Sequence, residues 1–187
     1  MKTSIIILFI SLLIVNNLNG QTSGKNGNTV QKIEDYNNLF SYQNFYLGGQ
    51  PTIEELRWLQ SQGVTKIINL RSEEENNVYS EYAYNEKPIA EEFGFEYFSI
   101  PIDGIKDYTA EKLDEISIQL STNDKILLHC RTAGRVTYFF MAYLIKCEGF
   151  TINEAVELGR NLKYSNPLEQ ILDTEILTDA GQDGFAK

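Results

Sequence analysis

The sequence predicts an α/β fold in which a mainly parallel central sheet of about four to five strands is flanked by helices. Short runs rich in Val, Ile and Leu occur at residues 64–70, 97–102 and 125–130, as expected for strands buried on both faces. A further short strand is predicted at residues 45–47. Helical segments separate these runs, and strands that alternate with helices form parallel sheets.

Capping residues predict where the helices begin. Threonines suited to cap a helix, two of them in Thr-x-x-Glu capping boxes, are Thr52, Thr109 and Thr151. A strongly apolar helix is expected from Gly134 to Cys147, and a last helix at 167–177. The acidic stretch at 72–77 is interpreted as a solvated loop.

Three segments are expected along the chain. Residues 1–20 carry Lys2, then an apolar run of about 11 residues, then a short polar stretch, which is the order of a secretory signal peptide. The apolar run is shorter than the roughly 20 residues of a spanning helix, so no stable membrane insertion is expected after cleavage. Residues 21–34 are predicted to be a flexible mature N-terminus, and 35–187 a single domain. The protein is therefore expected to be exported, to a periplasm or outside the cell.

Charge and composition exclude several kinds of partner. The formal net charge is −10, and an acidic surface repels nucleic acid. One histidine and two cysteines that are distant in sequence do not make an ordinary zinc site. No metal and no cofactor are expected.

The motif that carries chemistry is His-Cys-Arg-Thr-Ala-Gly-Arg at residues 129–135. An apolar strand runs into a short loop and a helix begins at once, so backbone N–H groups and the helix N-terminus form a cradle for an anion. A thiol in such a cradle is readily deprotonated, which makes Cys130 a candidate nucleophile. Arg135 can hold two oxygens of a tetrahedral anion. These features predict phosphoryl transfer through a cysteinyl-phosphate.

The two cysteines are expected to differ in role. A helix of a dozen residues separates Cys130 from Cys147 by roughly 18 Å, too far for a disulfide. Cys130 is therefore expected to be a free thiol. Cys147 is interpreted as a core residue among Met141, Leu144 and Ile145.

The motif at 129–135 resembles the phosphate loop of the cysteine-based protein tyrosine phosphatase superfamily. The segments Gly-Gln-Pro-Thr-Ile-Glu-Glu-Leu at 49–56 and Ile-Ile-Asn-Leu-Arg at 67–71 are similar to its bacterial dual-specificity-like subgroup, which includes the beta-lactamase-hydrolase-like domains and those fused to NAD kinase. The resemblance covers roughly residues 45–161. It implies a compact α/β fold, no metal, and hydrolysis of phosphomonoesters through a phosphocysteine.

The resemblance also implies roles for individual residues. Cys130 is the nucleophile, Arg135 the phosphate clamp, and the general acid lies in the region of Asp103, with Asp107 as the alternative. The loop residues expected to bind or support the substrate phosphate are His129, Arg131, Thr132, Ala133 and Gly134.

Two departures from the superfamily pattern affect these roles. Four residues separate Cys130 from Arg135, where the superfamily usually has five. Val136 follows Arg135, at the position where the superfamily commonly has a Ser or Thr that helps the thiolate leave. Thr132 and Thr137 are the two candidates for that role here.

Two other functions remain open. A rhodanese-like sulfurtransferase also places a cysteine in such a loop, and a catalytically weak pseudophosphatase would hold phosphorylated ligands without turnover. Arg71 either braces the loop or pairs with the acidic residues 73–75. The phosphorylated substrate, whether phosphoprotein or small phosphomonoester, is not specified.

Overall fold

The computed structural model describes residues 29–36, 38–77 and 84–163. The predicted leader at 1–20 and the predicted helix at 167–177 lie outside these residues. Of the predicted flexible segment at 21–34, only residues 29–34 are described. Within them the chain forms one six-stranded sheet with six α-helices.

The strands are short, and the helices range from one turn to four turns. The strands are β1 (Gln31–Lys32), β2 (Leu39–Tyr42), β3 (Phe45–Gly48), β4 (Lys66–Asn69), β5 (Glu96–Ser99) and β6 (Ile126–His129). The helices are α1 (Ile53–Ser61), α2 (Glu73–Asn77), α3 (Glu86–Glu92), α4 (Ala110–Leu120), α5 (Gly134–Glu148) and α6 (Ile152–Arg160), with a 3₁₀ turn at Ile105–Asp107.

The strand order is β1-β2-β3-β6-β4-β5. The last four strands in this order are parallel, whereas β1–β2 and β2–β3 are antiparallel. The predicted fold class is therefore confirmed. The antiparallel strands β1 and β2 were not predicted. β1 lies within the stretch 21–34 that was assigned to a flexible N-terminus, so ordered structure begins before residue 35.

The predicted helix starts agree with the structure where a threonine caps them. Thr52 and Thr151 each accept a hydrogen bond from the third residue of the helix, and the glutamate there accepts one from the cap backbone. Thr109 caps α4 in the simpler way, with its side chain accepting from Lys112 N. The predicted acidic loop at 72–77 is wrong, because α2 forms there.

Two hydrophobic clusters cover the two faces of the sheet. One contains the apolar run of α5, including Tyr138, Phe139 and Phe140, and the other contains Leu56 and Leu59 of α1. Burial of each such side chain stabilises the fold by about 1.5–3 kcal/mol. The packed face of α5 thus holds the N-terminus of that helix against the end of β6.

The prediction that Cys147 belongs to the core is wrong. Cys147 is exposed, near the end of α5, and both cysteines are free thiols. The buried stretch of α5 ends at Leu144. The last turn of the helix therefore leaves the apolar layer before it reaches Cys147.

Candidate active site

The candidate nucleophile lies at the centre of the sheet, at the carboxyl end of its strands. β6 ends at His129, whose neighbours in register are Gly48 of β3 and Asn69 of β4. Cys130 follows directly and is 1% exposed. Ligands of open parallel sheets bind at this edge, so the structure places Cys130 where the sequence analysis expected it.

Main-chain hydrogen bonds hold the first half of the loop against the extension of β3. Cys130 N donates to Gly48 O at 3.2 Å, and Gln50 N donates to Arg131 O at 3.2 Å. Gly49 forms an isolated bridge with Thr132. A Cβ at Gly49 would lie 3.1 Å from Arg131 O, so the close approach of the two segments favours glycine there.

The second half of the loop turns into α5 through a left-handed residue. Ala133 has φ 71° and precedes the helix, which no side chain caps. The first N–H groups of α5 therefore remain available to an anion. The Thr137 hydroxyl is fully buried and donates to Ala133 O at 2.9 Å, whereas Thr132 is exposed.

The side chain of Arg135 is 16% exposed, and both terminal nitrogens of its guanidinium have hydrogen-bond partners. Nη1 donates to Leu70 O at 3.0 Å and to Ile102 O at 2.9 Å. Nη2 donates to both carboxylate oxygens of Glu75, at 2.7 and 2.6 Å. Burial lowers the pKa of Arg135, but hydrogen bonding to Glu75 and the contact with Cys130 outweigh it, so the net direction is upward. Arg135 is a fixed cation beside the thiol.

Glu75 is a site residue that the sequence analysis missed. Its carboxylate holds Arg135, and its Oε2 also accepts from Ser72 N at 2.9 Å, while Ser72 Oγ accepts from Glu75 N at 3.1 Å. The Arg71 guanidinium donates to the Glu75 main-chain oxygen. The interpretation of residues 73–75 as a solvated loop is thus wrong for Glu75, and Arg71 does pair with this segment.

A cleft of about 600 Å³ lies over this corner of the molecule. Its walls come from α2, from the segment after β5 and from the Cys130 loop. The residues that line it are Ser72, Glu74, Glu75, Ile102, Asp103, Gly104, Tyr108, Arg131 and Arg135. Cys130 is not part of the cleft wall, although Arg135, which contacts it, is.

Asp103 lies on the cleft wall with its side chain 63% exposed. Lys106 Nζ donates to it at 2.8 Å and lowers the pKa of the Asp103 carboxyl. Asp107 is not among the residues that line the cleft, and its Oδ2 accepts from Asp103 N at 2.6 Å. Position therefore favours Asp103 over Asp107 as the acid, while the Lys106 contact favours the ionised form.

Tyr108 anchors the segment that carries Asp103. Its ring stacks on Phe139 of α5 at 5.4 Å and meets the Tyr138 ring edge-on at 5.2 Å. Burial raises the pKa of Tyr108. Gly104, with φ 80°, lies between Asp103 and this anchor, in a conformation that glycine adopts readily.

His129 lies in a buried polar cluster beneath the loop. It is 0% exposed, and its Nε2 is 2.9 Å from Glu86 Oε1. The side chain of Glu86 is 5% exposed. His129 was predicted as a supporting residue, whereas Glu86 was not singled out.

In the parts of the chain that the structure describes, no group of three or more His, Cys, Asp or Glu residues is arranged to hold a metal ion. No helix within residues 29–36, 38–77 and 84–163 combines the length and the apolar character needed to cross a bilayer.

The chain superposes on solved structures of phosphatases. P. aeruginosa TpbA superposes with a TM-score of 0.54 at 17% identity, over 72% of this chain and 79% of that chain, and a further TpbA structure holds pTyr. PTPMT1 in complex with PI(5)P gives a TM-score of 0.57 at 19% identity, over 69% and 88%. Tk-PTP in its active form gives 0.54 at 21% identity, over 69% and 86%. At these identities the similarity shows the fold.

No curated protein matches the sequence significantly. The family described as DSP-PTPase phosphatase fused to NAD+ kinase matches residues 19–147. That range exceeds half of the chain and contains the Cys130 loop. The chain therefore belongs to this family of cysteine-dependent phosphatases.

Proposed function

We propose that the protein hydrolyses phosphomonoesters through a phosphocysteine on Cys130. The observation that carries the proposal is the uncapped start of α5 at Gly134, just beyond the short loop that follows Cys130, with the Arg135 guanidinium in contact with that cysteine. A thiolate, free helix N–H groups and a fixed cation are the components that an in-line phosphoryl transfer needs.

In the first step, the Cys130 thiolate attacks phosphorus, an S–P bond forms and the ester P–O bond breaks. The leaving oxygen takes a proton from Asp103. In the second step, water attacks the phosphocysteine, Asp103 takes a proton from that water, the S–P bond breaks, and inorganic phosphate leaves. The loop N–H groups and Arg135 stabilise the charge on the transferred group in both steps.

The two cysteines provide a matched test of the nucleophile. Cys130→Ser removes the thiolate without changing the loop backbone, so turnover of an aryl phosphate should be lost while tungstate binding remains. Cys147→Ser changes an exposed thiol and should leave turnover and thermal stability close to wild type. Wild-type rates in Cys130→Ser would overturn the proposal.

Binding without turnover is the second candidate, because Glu75 already occupies Nη2 of Arg135. This candidate predicts that the wild-type chain binds tungstate or phosphate by calorimetry and releases no phosphate from any ester. A parallel assay with thiosulfate and cyanide tests the sulfurtransferase alternative.

The substrate panel follows from what the structural relatives bind. TpbA has been seen with pTyr and PTPMT1 with PI(5)P. A phosphotyrosine peptide, a phosphoinositide and a simple aryl phosphate therefore make a first panel. The substrate with the highest kcat/KM, measured by phosphate release, identifies the class for this chain.

We also propose that the protein is exported and that its leader is removed before Gln21. The order of charged, apolar and polar residues in 1–20 supports this. Mass spectrometry of the chain recovered outside the cytoplasm should give an N-terminus at or near residue 21. A cytoplasmic chain that retains Met1–Gly20 would contradict export.

A further inference from the structure

A buried glutamate lies beneath the catalytic loop and is unused by the mechanism above. Glu86 is the first residue of α3, and its side chain is 5% exposed. Burying a carboxylate costs free energy unless hydrogen-bond donors surround it. The partners of Glu86 therefore indicate what this buried group does.

Donors from several strand ends converge on Glu86. Oε2 lies 3.1 Å from Gln50 Nε2, 3.4 Å from Asn69 Nδ2 and 3.4 Å from the Tyr97 hydroxyl. Asn69 also donates to that hydroxyl at 2.7 Å, which leaves the tyrosine proton free to point at Glu86. Burial and the Glu86 charge raise the pKa of Tyr97, so the phenol remains a donor.

The other oxygen faces the catalytic loop. Oε1 lies 2.9 Å from His129 Nε2, at ion-pair distance but without the alignment of a hydrogen bond. An ionised carboxylate accepts and does not donate, so a hydrogen bond between these two groups would need a proton on His129 Nε2. The side chain of His129 is 0% exposed, so bulk water does not compete with Glu86 for the ring.

His129 transmits this constraint to the nucleophile. It immediately precedes Cys130, and its main-chain oxygen accepts from Leu70 N at 2.8 Å. Gln50, the second partner of Glu86, donates through its main-chain N–H to Arg131 O on the far side of Cys130. Glu86 therefore holds the residues on both sides of the cysteine.

We propose that Glu86 is a positioning residue that sets the geometry of Cys130 through His129. The inference rests on the proposed function for its kinetic consequence. Glu86→Gln keeps the size of the side chain, but its NH₂ group must face either His129 or the three donors at Oε2. A loop displaced by about 1 Å loses roughly 10²-fold in the rate of the chemical step. We expect kcat to fall by about that factor while tungstate affinity changes less than about threefold, because the α5 N–H groups and Arg135 stay in place.

A double-mutant cycle separates positioning from general stabilisation. If Glu86 acts through His129, then Glu86→Gln should add no further loss of kcat to His129→Ala. Glu92→Gln makes the same chemical change at an exposed position of α3 and should behave as wild type. Rates are compared at a temperature at which circular dichroism shows each variant to be folded. Losses of kcat that multiply in the double variant would overturn the proposal.

The single histidine of the chain gives a readout that does not depend on turnover. In tag-free protein labelled with ¹⁵N, the imidazole signals come from His129 alone, and the wild type should show the proton on Nε2. Glu86→Gln should shift that Nε2 signal. A wild-type imidazole with a bare Nε2 would overturn the proposal even if the protein is an active phosphatase. An inactive wild type with the expected signals would instead count against the proposed function.

If Glu86→Gln does not fold, Glu86→Asp tests the same positioning role. It keeps the charge but withdraws the carboxylate from His129 by one methylene. Both the Nε2 signal and kcat should then change together. A shifted signal with wild-type kcat would show that the contact does not position the nucleophile.

Discussion

The Arg135 guanidinium donates in two directions, to the main-chain oxygens of Leu70 and Ile102 and to the Glu75 carboxylate. An ammonium group has no planar fork and cannot hold these partners and a phosphate together. Arg135→Lys should therefore lower kcat/KM by about 10²–10³-fold, nearly as much as Arg135→Ala. Steady-state kinetics with an aryl phosphate checks this.

The matched control for Arg135 is Arg160→Lys, at an exposed position of α6 that pairs with Glu157. It should leave kcat/KM unchanged. If Arg135→Lys kept most of the rate, the phosphate clamp would have to be assigned elsewhere, with Arg131 on the cleft wall as the next residue to test.

Lys106 controls the proton of the proposed acid. It lowers the pKa of Asp103, so Asp103 loses its proton at a lower pH than an ordinary aspartate. A general acid works only while protonated, and the rate should therefore fall early on the basic side. Lys106→Met should move the basic limb of the pH–kcat profile to higher pH, for an ester with a poor leaving group.

The control for Lys106 is Lys112→Met, which removes a lysine paired with Glu115 on α4. Its basic limb should coincide with that of the wild type. An unchanged limb in Lys106→Met would argue that Asp103 is not the acid, and Asp107 would then be tested by the same approach.

At the scale of single residues, the sequence singled out Cys130 and Arg135 as candidate nucleophile and clamp, but it did not point to Glu75 or Glu86. Cys130 and Arg135 belong to one short motif, and motifs are readable locally. Glu75 belongs to a Ser-x-x-Glu pattern, the signal of a capping box, so its helix was detectable although its contact with Arg135 was not. Glu86 carries no local signal, because its role depends on strands that are distant in sequence.

At the start of α5, the turn into the helix carries strain. Ala133 has φ 71°, where a Cβ costs roughly 1–2 kcal/mol. Ala133→Gly removes that cost but adds freedom to the unfolded chain, so the free energy of unfolding should stay level or rise by up to about 1 kcal/mol. Urea unfolding measures it.

The control for Ala133 is Ala142→Gly in the buried interior of the same helix. There the substitution should destabilise by about 1 kcal/mol or more. If both variants were destabilised equally, the positive φ at Ala133 would not be a source of strain.

The elements themselves were predictable to different degrees. The threonine-capped helices α1, α4 and α6 were predicted because a cap and its partner lie three residues apart. β1 was missed because its two residues are polar and exposed, and β2 because a single short apolar run does not show which strand it pairs with. The exposure of Cys147 was mispredicted because apolar neighbours in sequence do not show where the core layer ends.

The charge of the whole molecule should select among substrates. The chain has a net charge of −10, and Glu74 and Asp103 line the cleft. A phosphopeptide flanked by lysines should therefore have a kcat/KM about 3–10-fold above one flanked by glutamates at low salt. The ratio should shrink as salt screens the charges, and a ratio independent of salt would place the selectivity in specific contacts.

The α/β class of the whole molecule could be predicted because strand-like and helix-like segments alternate along the sequence. Buried parallel strands and amphipathic helices each have a recognisable sequence pattern. The strand order did not follow, because register and neighbours are set by packing. That order places β6 between β3 and β4, and so brings Gln50, Asn69 and His129 together around Glu86.

The bridge between Gly49 and Thr132 limits how the loop could be re-engineered. Main-chain contacts hold residues 129–132 beside the ends of β3 and β4, as if β6 continued. The sheet therefore fixes the number of residues in this segment. An inserted residue, such as one that restores the five-residue spacing of the superfamily, has room only between Ala133 and Arg135. Grafting a longer loop from a related phosphatase would therefore keep Gly49 and residues 129–132 and lengthen only the turn at Ala133 and Gly134.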